Sequence, residues 1–434
     1  MITWITESIA TASFTELDTA IHQSGLVADV RDLVDKGGNS LESLNLHIDL
    51  AEDILNRYGK VYVVCDMGIS RSRLIALGLL TRIGWSFDDA LSHIRKVANK
   101  PEINLSLLRT LSRHLKSTSN AAKPLDSNRV LILGGGGFVG SHLKAVLSVD
   151  SIVMSPGSSQ INLITDSIEL SQYVEREGCK TIVYAAHPKS YHSSSAFAAS
   201  LGMLKNALDV AREYKLKFVY ISTLVVFAGN AKKTSCEKFE AEESSVAIPC
   251  GTYSESKFFG ECLVNLYAQN YGLETLVVRA SGLYGPKMSG AWLIPKLIMK
   301  ALMNLPIITH QYLNGLPEFE LLHIRDFCAA IELLLRAKDI PSVVHVGSSQ
   351  TISTYELART IIGLCESASS LKLSEINDDI HNIVSMPSPI MRQLDWRGKI
   401  SLEEGLRGLW DYYRDQSGMN PCHNITHKKQ RGDR

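Results

Sequence analysis

An apolar run, Val130–Leu133, leads directly into a glycine-rich segment that ends at Gly140. An uninterrupted apolar run of this length is typical of a strand buried on both faces of a parallel sheet. Gly134, Gly137 and Gly140 are spaced at three, which lets the backbone turn tightly and approach a phosphate group where a helix begins. The pattern therefore predicts a strand, a phosphate-binding loop and a helix.

The alternation of apolar strands and helices continues along the chain. We predict a helix over Ser141–Leu147 and a second strand over Ser151–Met154. Two further apolar strands, Thr181–Ala186 and Lys217–Ser222, flank a helical stretch over Ala196–Tyr214. Apolar strands that alternate with amphipathic helices predict an α/β fold with a doubly wound parallel sheet, covered by helices on both faces.

A second loop of different chemistry follows the apolar run Val61–Val64. Its ends are Cys65 and Arg71, separated by five residues, a spacing that lets the loop wrap around one phosphate group. Arg71 offers a bidentate fork, a helix beginning near Ser70 lowers the pKa of the Cys65 thiol, and Ser72 can hydrogen-bond the sulfur. We expect a phosphate ester to be bound by Arg71 and by the loop residues Asp66, Met67, Gly68, Ile69 and Ser70.

The length of 434 residues allows two or more domains with separate cores. The polar, proline-containing stretch before Val130 predicts a linker over 119–128, between an N-terminal domain, 1–118, and a larger domain, 129–416. The last residues, 417–434, are polar and basic without periodicity, so we predict a disordered tail.

Composition excludes several functions. Acidic and basic residues balance at 45 each, so no overall field attracts nucleic acid. No apolar stretch is long enough to span a membrane and the N-terminus does not resemble a secretory signal, which predicts a cytoplasmic protein. The eight cysteines form no pattern with metal-ligand spacing, so no metal is expected.

Residues 1–118 resemble the dual-specificity, cysteine-based protein phosphatases. The resemblance rests on the Cys-x5-Arg-Ser signature at Cys65–Ser72, and it implies a thiolate nucleophile and a phosphomonoester substrate. Val64 stands where the family has a histidine, which implies reduced activity. The family also uses an aspartic acid, about thirty residues before the cysteine, to protonate the leaving oxygen. Asp29, Asp32 and Asp35 all lie near that distance. We choose Asp35, in a polar loop before a helix over Leu41–Leu55, with Asp32 next.

A pair with a different chemistry is Tyr253 and Lys257, which share one face of a predicted helix. A nearby lysine lowers the pKa of a tyrosine, which can then exchange a proton with a hydroxyl or carbonyl group. Ser222 and Thr223, at the end of a predicted strand, could bind the same substrate oxygen.

Residues from about Arg129 to Asp415 resemble the extended short-chain dehydrogenases/reductases, in the NAD-dependent epimerase/dehydratase group that acts on nucleotide sugars. The resemblance rests on the glycine loop, on Tyr253 and Lys257, and on Tyr184–Ala186, Val278–Pro286, His323–Asp326, Val344–Gly347 and Leu394–Trp396. It implies a Rossmann domain, a smaller α/β substrate lobe mainly from Gly285, a homodimer, and NAD or NADP as cofactor.

By the same resemblance, Tyr253 is the acid/base, Lys257 is its partner and holds the nicotinamide ribose, and Thr223 positions the substrate. The remaining cofactor-binding residues would be Gly134, Gly137, Phe138, Val139, Gly140, Ser155, Asp166, Ala185 and Ala186.

The sequence departs from the group's pattern at three places. Leu224 and Val225 replace the Asp-Glu pair of the 4,6-dehydratases, which disfavours a dehydratase. The segment after Met154 lacks the acid that would bind the adenosine ribose, so the choice between NAD and NADP stays open. Glu318 and Glu320 precede His323 where relatives supply an arginine to the nucleotide diphosphate; Arg325 or Lys296 could substitute.

These features together predict a bifunctional enzyme. One domain would hydrolyse a phosphomonoester, and the other would epimerise or reduce a sugar or nucleotide sugar in polysaccharide precursor synthesis. One alternative is a protein phosphatase regulated by a nicotinamide-sensing Rossmann domain with little turnover. Another is a phosphate-binding N-terminal domain without activity.

Overall fold

The computed structural model of the chain forms two compact units, Met1–Ala122 and Lys123–Arg434, each taken by itself below. The structure describes residues 2–35, 39–98, 103–104, 107–108, 110–112, 126–164, 167–188, 193–233 and 238–416. Most of the predicted linker and all of the predicted tail, 417–434, lie outside the described residues.

The first unit contains a four-stranded sheet in the order β1-β2-β4-β3. β2 and β3 both run parallel to β4, and β1 is antiparallel to β2. The strands are β1 (Thr3–Trp4), β2 (Ile9–Ser13), β3 (Val27–Asp29) and β4 (Val61–Cys65). The helices are α1 (Thr19–Gln23), α2 (Leu41–Tyr58), α3 (Arg71–Arg82) and α4 (Phe87–Val97). The ends of the three parallel strands therefore meet at one edge of the sheet, where the thiol of Cys65 lies.

Helix α3 is the central element of this unit. Every residue from Ser72 to Leu80 is buried. A Cβ on Gly78 would overlap the side chain of Ile48, so this glycine lets α2 approach α3 closely. Helix α2 is fixed at both ends, because the Ser40 hydroxyl accepts a hydrogen bond from Ser43 N and Gly59 ends the helix at φ +74°.

The second unit is built on a six-stranded parallel sheet in the order β14-β10-β8-β7-β5-β6. Its strands are β5 (Asp126–Leu133), β6 (Ile152–Met154), β7 (Cys179–Tyr184), β8 (Lys217–Thr223), β10 (Thr275–Ala280) and β14 (Val343–Val346). The chain passes from β5 to β6 on one side and then crosses to β7 on the other. This reversal creates the crevice in which doubly wound folds bind ligands.

Helices cover this sheet in two groups. α5 (Phe138–Leu147) packs against α11 (Ile324–Arg336), and α7 (Ser194–Tyr214) packs against α6 (Ile168–Glu177) and α9 (Thr252–Tyr271). The core between sheet and α11 joins strand residues to helix residues, among them Ile132, Val183, Val219, Val278, Phe327 and Ile331. The predicted Rossmann fold of this region is confirmed.

A smaller lobe is added to the sheet. Its strands are β9 (Lys238–Ala241), β11 (Gly282–Tyr284), β12 (Ile307–Tyr312), β13 (Glu318–His323), β15 (Thr351–Ser353), β16 (Leu371–Ile376) and β17 (Asn382–Ser385). They pair as β11-β13-β15, β12-β16 and β17-β9. Its helices are α10 (Leu293–Leu302), α12 (Thr354–Leu364), α13 (Pro389–Gln393) and α14 (Leu402–Gln416), and a short helix α8 (Ala228–Lys233) precedes β9. The lobe is not one continuous segment after Gly285, because β14 returns to the main sheet and β9 pairs with β17.

Within the parts of the chain that the structure covers, no helix combines the length and the apolar character needed to cross a bilayer.

Candidate active sites

The first site is the loop that joins β4 to α3. Gly68, in the middle of this loop, has φ +67°, and a Cβ there would lie 2.5 Å from the backbone carbon of Ala12. The Ser13 hydroxyl, at the end of β2, donates a hydrogen bond to the Asp66 carbonyl at 2.5 Å. Ser70 is the residue before the first turn of α3. The loop is therefore pressed against β2, in a curve that requires glycine at position 68.

Cys65 ends β4, and its side chain is buried. Its Sγ lies 3.4 Å from Ser72 Oγ. Burial raises the pKa of the thiol, but hydrogen bonds from the Ser72 side chain and from the backbone of Ser72, Ile69 and Gly68 outweigh burial and lower it. The interaction of Ser72 with the sulfur, which the sequence predicted, is present in the structure.

Arg71 connects the loop to the segment after β3. Its Nη1 donates to the carbonyl oxygens of Arg31 and Leu33, both at 2.9 Å, and its Nη2 pairs with the Asp66 carboxylate. Its Nε is buried and has no hydrogen-bond partner among the described residues. An unsatisfied guanidinium N–H beside a curved loop is a donor to which an anion can bind.

The candidate acids lie on the segment that Arg71 holds. Asp29 binds Arg31 with both carboxylate oxygens, whereas the Asp32 carboxylate contacts His47 Nε2 at 2.8 Å. Asp35 is exposed, and its backbone carbonyl accepts a hydrogen bond from Asn104 Nδ2. Val64, which replaces the histidine of the resembled family, is fully buried.

The second site begins with the glycine loop after β5. Gly134 has φ +90°, and a Cβ there would lie 2.6 Å from the carbonyl carbon of Ala185. Gly137 N donates to Gly134 O at 3.0 Å. A Cβ on Gly140 would lie 2.7 Å from the Cα of Gly135. The structure therefore brings the predicted glycines and the segment after β7 into direct contact.

Helix α5 begins at Phe138, three residues before the predicted start, because Gly137 already acts as its N-terminal cap. Its first turn contains Phe138 and Val139, which are half-buried and pack against the core of the unit. Ser155, after β6, lies against Gly135, where a Cβ would overlap its hydroxyl. Asp166 lies outside the described residues.

These features fit a dinucleotide. Because glycines have no side chains, the backbone of the loop is accessible at the start of a helix of ten residues. A pyrophosphate bound there can accept hydrogen bonds from the backbone N–H groups.

Tyr253 and Lys257 lie in the first turns of α9, as predicted. Lys257 is buried, and its Nζ donates to Ile221 O at 2.8 Å. Burial lowers the pKa of Lys257 to about 8, against the opposing effect of the Glu261 carboxylate. The Tyr253 ring centroid lies 5.7 Å from that of His187. The Thr223 hydroxyl accepts a hydrogen bond from Val225 N at 3.2 Å. Lys257 thus lies against β8 two residues before the strand ends at Thr223.

A buried polar network behind this pair was not predicted from the sequence. The Glu261 carboxylate accepts hydrogen bonds from Arg279 Nη2 at 2.7 Å and from the Ser222 hydroxyl at 2.5 Å. His345 Nε2 lies 3.4 Å from Arg279 Nη1, and burial with the Arg279 charge lowers the pKa of His345 to about 3. The four-residue spacing of Tyr253, Lys257 and Glu261 on one helix was a signal for the carboxylate.

A cavity of about 620 Å³ opens in the smaller lobe, beside Gly347 at the carboxyl end of β14. Its lining includes Arg392, Arg397 and Lys399, and none of the described lining residues is Asp or Glu. Neither of the predicted phosphate contacts, Arg325 and Lys296, lines this cavity; both are exposed. Three basic residues near α13 and α14 therefore line this cavity, and the Asp326 carboxylate binds the backbone of Lys399 behind them.

The two acids before His323 have structural contacts. Glu318 pairs with Lys238 at 2.5 Å, and Glu320 accepts hydrogen bonds from Ser385 N at 2.6 Å and Ser349 N at 2.9 Å. Across the described ranges, no three His, Cys, Asp or Glu side chains come together as a metal site.

Comparison with known proteins gives the same assignment for the second unit. The model of the NAD dependent epimerase/dehydratase family matches residues 130–347, half of the chain. A dTDP-D-glucose 4,6-dehydratase of Dictyostelium discoideum is 28% identical over 54% of this chain, and the match spans 62% of that protein's length. The low-salt glycan biosynthesis protein Agl12 of Haloferax volcanii is 27% identical over 65% of this chain and 98% of its own.

The crystal structure of Thermus thermophilus UDP-glucose 4-epimerase in complex with NAD superimposes with a TM-score of 0.57. It is 21% identical, over 66% of this chain and 99% of the epimerase, and so supports the fold alone. The prediction of NAD or NADP as cofactor is confirmed at the level of the family. From its glycine loop through its Rossmann sheet, the chain belongs to the NAD-dependent epimerase/dehydratase family.

Proposed function

We propose that this chain is a bifunctional enzyme that hydrolyses a phosphomonoester at Cys65 and transfers hydride at a carbon of a nucleotide sugar beside Tyr253. The observation that carries the second activity is the buried Lys257 at the carboxyl end of β8, one helical turn from Tyr253. A domain that only sensed nicotinamide would need no such acid/base pair, so we favour an enzyme that turns over its substrate.

In the second unit, Tyr253 exchanges a proton with a sugar hydroxyl, and the Thr223 hydroxyl orients the same oxygen. The positive charge of protonated Lys257 favours the phenolate of Tyr253, and Glu261 holds that charge in a buried site. A nicotinamide held here would supply the hydride acceptor and donor. The glycine loop would hold the pyrophosphate of this cofactor, and Ser155 would lie near the adenosine ribose.

We infer epimerisation or reduction rather than elimination of water, although the relative from Dictyostelium is named a dehydratase. Elimination needs an acid and a base beside the substrate. The two positions after Thr223 hold Leu224, which is buried, and Val225, which is 42% exposed, and neither side chain can transfer a proton.

The charge of the lobe cavity supports a nucleoside diphosphate as the carrier of the sugar. Arg392, Arg397 and Lys399 in its lining offer three cations to which a diphosphate could bind. Strands β8 and β14 are separated by one strand in the sheet, so their carboxyl ends lie about 10 Å apart. A nucleotide sugar could span that distance, with its sugar beside Thr223 and its diphosphate in the cavity. The name of the Haloferax relative refers to glycan biosynthesis, which supports a role in polysaccharide precursor synthesis.

This activity is tested with the full chain, NAD or NADP, and UDP- and dTDP-linked sugars. Product stereochemistry is followed by NMR and loss of water by mass spectrometry. Tyr253→Phe should abolish turnover while dinucleotide affinity is retained, and Tyr271→Phe, at the exposed end of the same helix, should change neither. Turnover that survives in Tyr253→Phe would contradict the assigned role.

In the first unit, the Cys65 thiolate would attack phosphorus, while Arg71 Nε and the backbone N–H groups of the loop bind the phosphate oxygens. The lowered pKa of Cys65 and the unsatisfied Arg71 Nε support this role. Ser72 would stabilise the sulfur when water releases it from the phosphocysteine. The substrate would be a phosphorylated form of the same sugar.

Release of phosphate from an aryl phosphate tests this activity. Cys65→Ser should lose it, and Cys262→Ser, which removes an exposed thiol from α9, should keep it. Equal rates for wild type and Cys65→Ser would rule out the phosphatase.

We also propose a homodimer through α7 and α9, because Phe259 and Leu266 on α9 are 48% and 43% exposed. Sedimentation of Phe259→Glu should then give a monomer, and an unchanged mass would exclude this face.

A further inference from the structure

Two side chains of α9, one helical turn apart, hold two consecutive residues of β8. Lys257 Nζ donates a hydrogen bond to the Ile221 carbonyl oxygen at 2.8 Å, and the Glu261 carboxylate accepts one from the Ser222 hydroxyl at 2.5 Å. Residues four apart on a helix share one face, so both contacts are made from the same side of α9. A single contact would let the helix pivot about it, whereas two contacts fix its distance and its direction relative to the strand.

The Glu261 carboxylate is itself held in place. Arg279 lies opposite Ser222 on the neighbouring strand β10, and it donates to Glu261 from Nε at 3.1 Å and from Nη2 at 2.7 Å. The third nitrogen of this guanidinium group, Nη1, lies 3.4 Å from His345 Nε2 on β14. The side chains of Glu261 and Arg279 are both 8% exposed, so water competes little for these contacts. The Ser222 hydroxyl is therefore bound to an acceptor whose position is set by two further strands of the sheet.

Stability alone does not account for a buried ion pair at this place. Removal of a carboxylate and a guanidinium group from water is costly, and apolar side chains of similar size often give a core that is equally stable. The pair supplies something that apolar packing does not, namely a hydrogen-bond acceptor directed at one hydroxyl group of β8.

Helix α9 also approaches β8 closely. A Cβ at Gly260 would lie 2.8 Å from Cζ of Tyr220, so this position needs a residue without a side chain. Lys257 Nζ lies 5.1 Å from the centroid of the same tyrosine ring. The helix is thus in contact with three consecutive residues of the strand, 220–222, and the next residue is Thr223.

Resting on the proposed hydride transfer, we propose that Ser222 and Glu261 are positioning residues for it. Their hydrogen bond fixes the end of β8 against α9, and so sets the Thr223 hydroxyl and the Tyr253 phenol relative to each other for exchange of a proton with one sugar oxygen. The sequence suggested that the Ser222 hydroxyl could bind that oxygen as well. In the structure Ser222 is 3% exposed and its hydroxyl is donated to Glu261 instead.

Ser222→Ala tests this role in the full chain, with the UDP- or dTDP-linked sugar that wild type converts fastest. The variant loses one hydrogen bond and leaves Glu261 paired with Arg279. Because small misplacements of reacting groups are costly in rate, we expect kcat to fall about tenfold. KM and the affinity for the dinucleotide should stay within about twofold of wild type, since no group that binds either ligand is removed. An unchanged kcat, or a loss that appears only in KM, would overturn the proposal.

Ser171→Ala is the matched control. Ser171, on α6, is 6% exposed, and its hydroxyl oxygen lies 2.8 Å from that of Tyr214. Both alanine variants lose a buried hydrogen bond of a serine, so both should lower Tm, but only Ser222→Ala should lower kcat. An equal fall of kcat in the two variants would indicate a general effect of stability and would overturn the positioning role.

Amide hydrogen exchange gives a readout that does not depend on turnover. If Ser222 and Glu261 hold the end of β8, the backbone amides of residues 221–227 should exchange faster in Ser222→Ala than in wild type, and those of β5 should not. Ser171→Ala should leave the amides of 221–227 unchanged. Equal exchange in Ser222→Ala and wild type would overturn the proposal.

Should Ser222→Ala not fold, Ser222→Cys fills the same space with a weaker donor and should also lower kcat. A kcat equal to that of wild type in this variant would overturn the proposal. Failure of the proposed function is distinguishable, because wild type itself would then convert none of the sugars. Failure of the positioning role alone leaves wild type active and the Ser222 variants equally fast.

Discussion

Gly68 and Gly84 share a left-handed backbone and differ in their surroundings. Gly68 has φ +67° and its missing Cβ would collide with the backbone at the end of β2, whereas Gly84 has φ +105° and nothing within 4 Å. Both alanine variants bear the cost of a left-handed residue, about 1–2 kcal/mol, but only Gly68→Ala must displace β2. We expect Gly68→Ala to lose binding of inorganic phosphate by calorimetry, and Gly84→Ala to retain it. Equal losses would show that the collision has no consequence for the loop.

The same reasoning applies to the dinucleotide loop. A Cβ at Gly140 would press on the backbone of Gly134 and Gly135, while one at Gly136 meets nothing within 4 Å. Gly140→Ala should therefore weaken NAD binding at least tenfold, which corresponds to about 1.4 kcal/mol, and Gly136→Ala should change it little. Titration of each variant with NAD, monitored by protein fluorescence, measures this. Similar affinities in the two variants would contradict the close contact.

At the scale of elements, helix α9 carries a candidate catalytic lysine, Lys257, whose burial lowers the stability of the folded protein. Lys257 has its pKa lowered from 10.5 to about 8, so below pH 8 its buried charge opposes folding by about 3 kcal/mol. Replacement by methionine removes that charge and also the hydrogen bond to Ile221, which is worth about 1 kcal/mol. We expect Lys257→Met to be more stable than wild type by about 2 kcal/mol at pH 7, although inactive.

The direction of this pKa shift determines how the stability of the wild type changes with pH. The unfolded lysine keeps its proton up to about pH 10.5, so the wild type gains stability as pH rises from 8 to 10.5 and the advantage of Lys257→Met disappears. Thermal unfolding at pH 7 and pH 10 measures this. Lys205→Met, at a position whose side chain is 59% exposed, is the control and should show no such change. If Lys257→Met were less stable than wild type at pH 7, the buried charge of Lys257 would not destabilise the fold, which would contradict the prediction.

Elements whose signals are local could be predicted. Both loops follow their strands directly, as the spacing around Cys65 and Gly134 predicts. The Glu261–Arg279 pair could not be predicted, because it forms only when β10 lies beside β8 under α9. The order of strands in the sheet depends on contacts between residues that are distant in the chain. The contact of Asp32 with His47 is similar, since it requires α2 to pack against the end of β3.

At the scale of the whole molecule, the division at Ala122 predicts two separable enzymes. Each unit has its own sheet, core and candidate site. We expect residues 123–434 alone to bind NAD, and residues 1–122 alone to hydrolyse an aryl phosphate, each within about twofold of the full chain. Calorimetry should show the transitions of the two pieces within the trace of the full chain. A piece that fails to fold would contradict independent cores.

Cys65 is the only cysteine in residues 1–122. A lowered pKa favours the thiolate, which is the form that peroxide oxidises to a sulfenic acid, and a second thiol nearby would convert that acid to a reversible disulfide. The first unit contains no such resolving thiol of its own. Peroxide damage at this site would therefore be repaired by a thiol from outside the unit, such as glutathione, or would advance to the irreversible sulfinic acid.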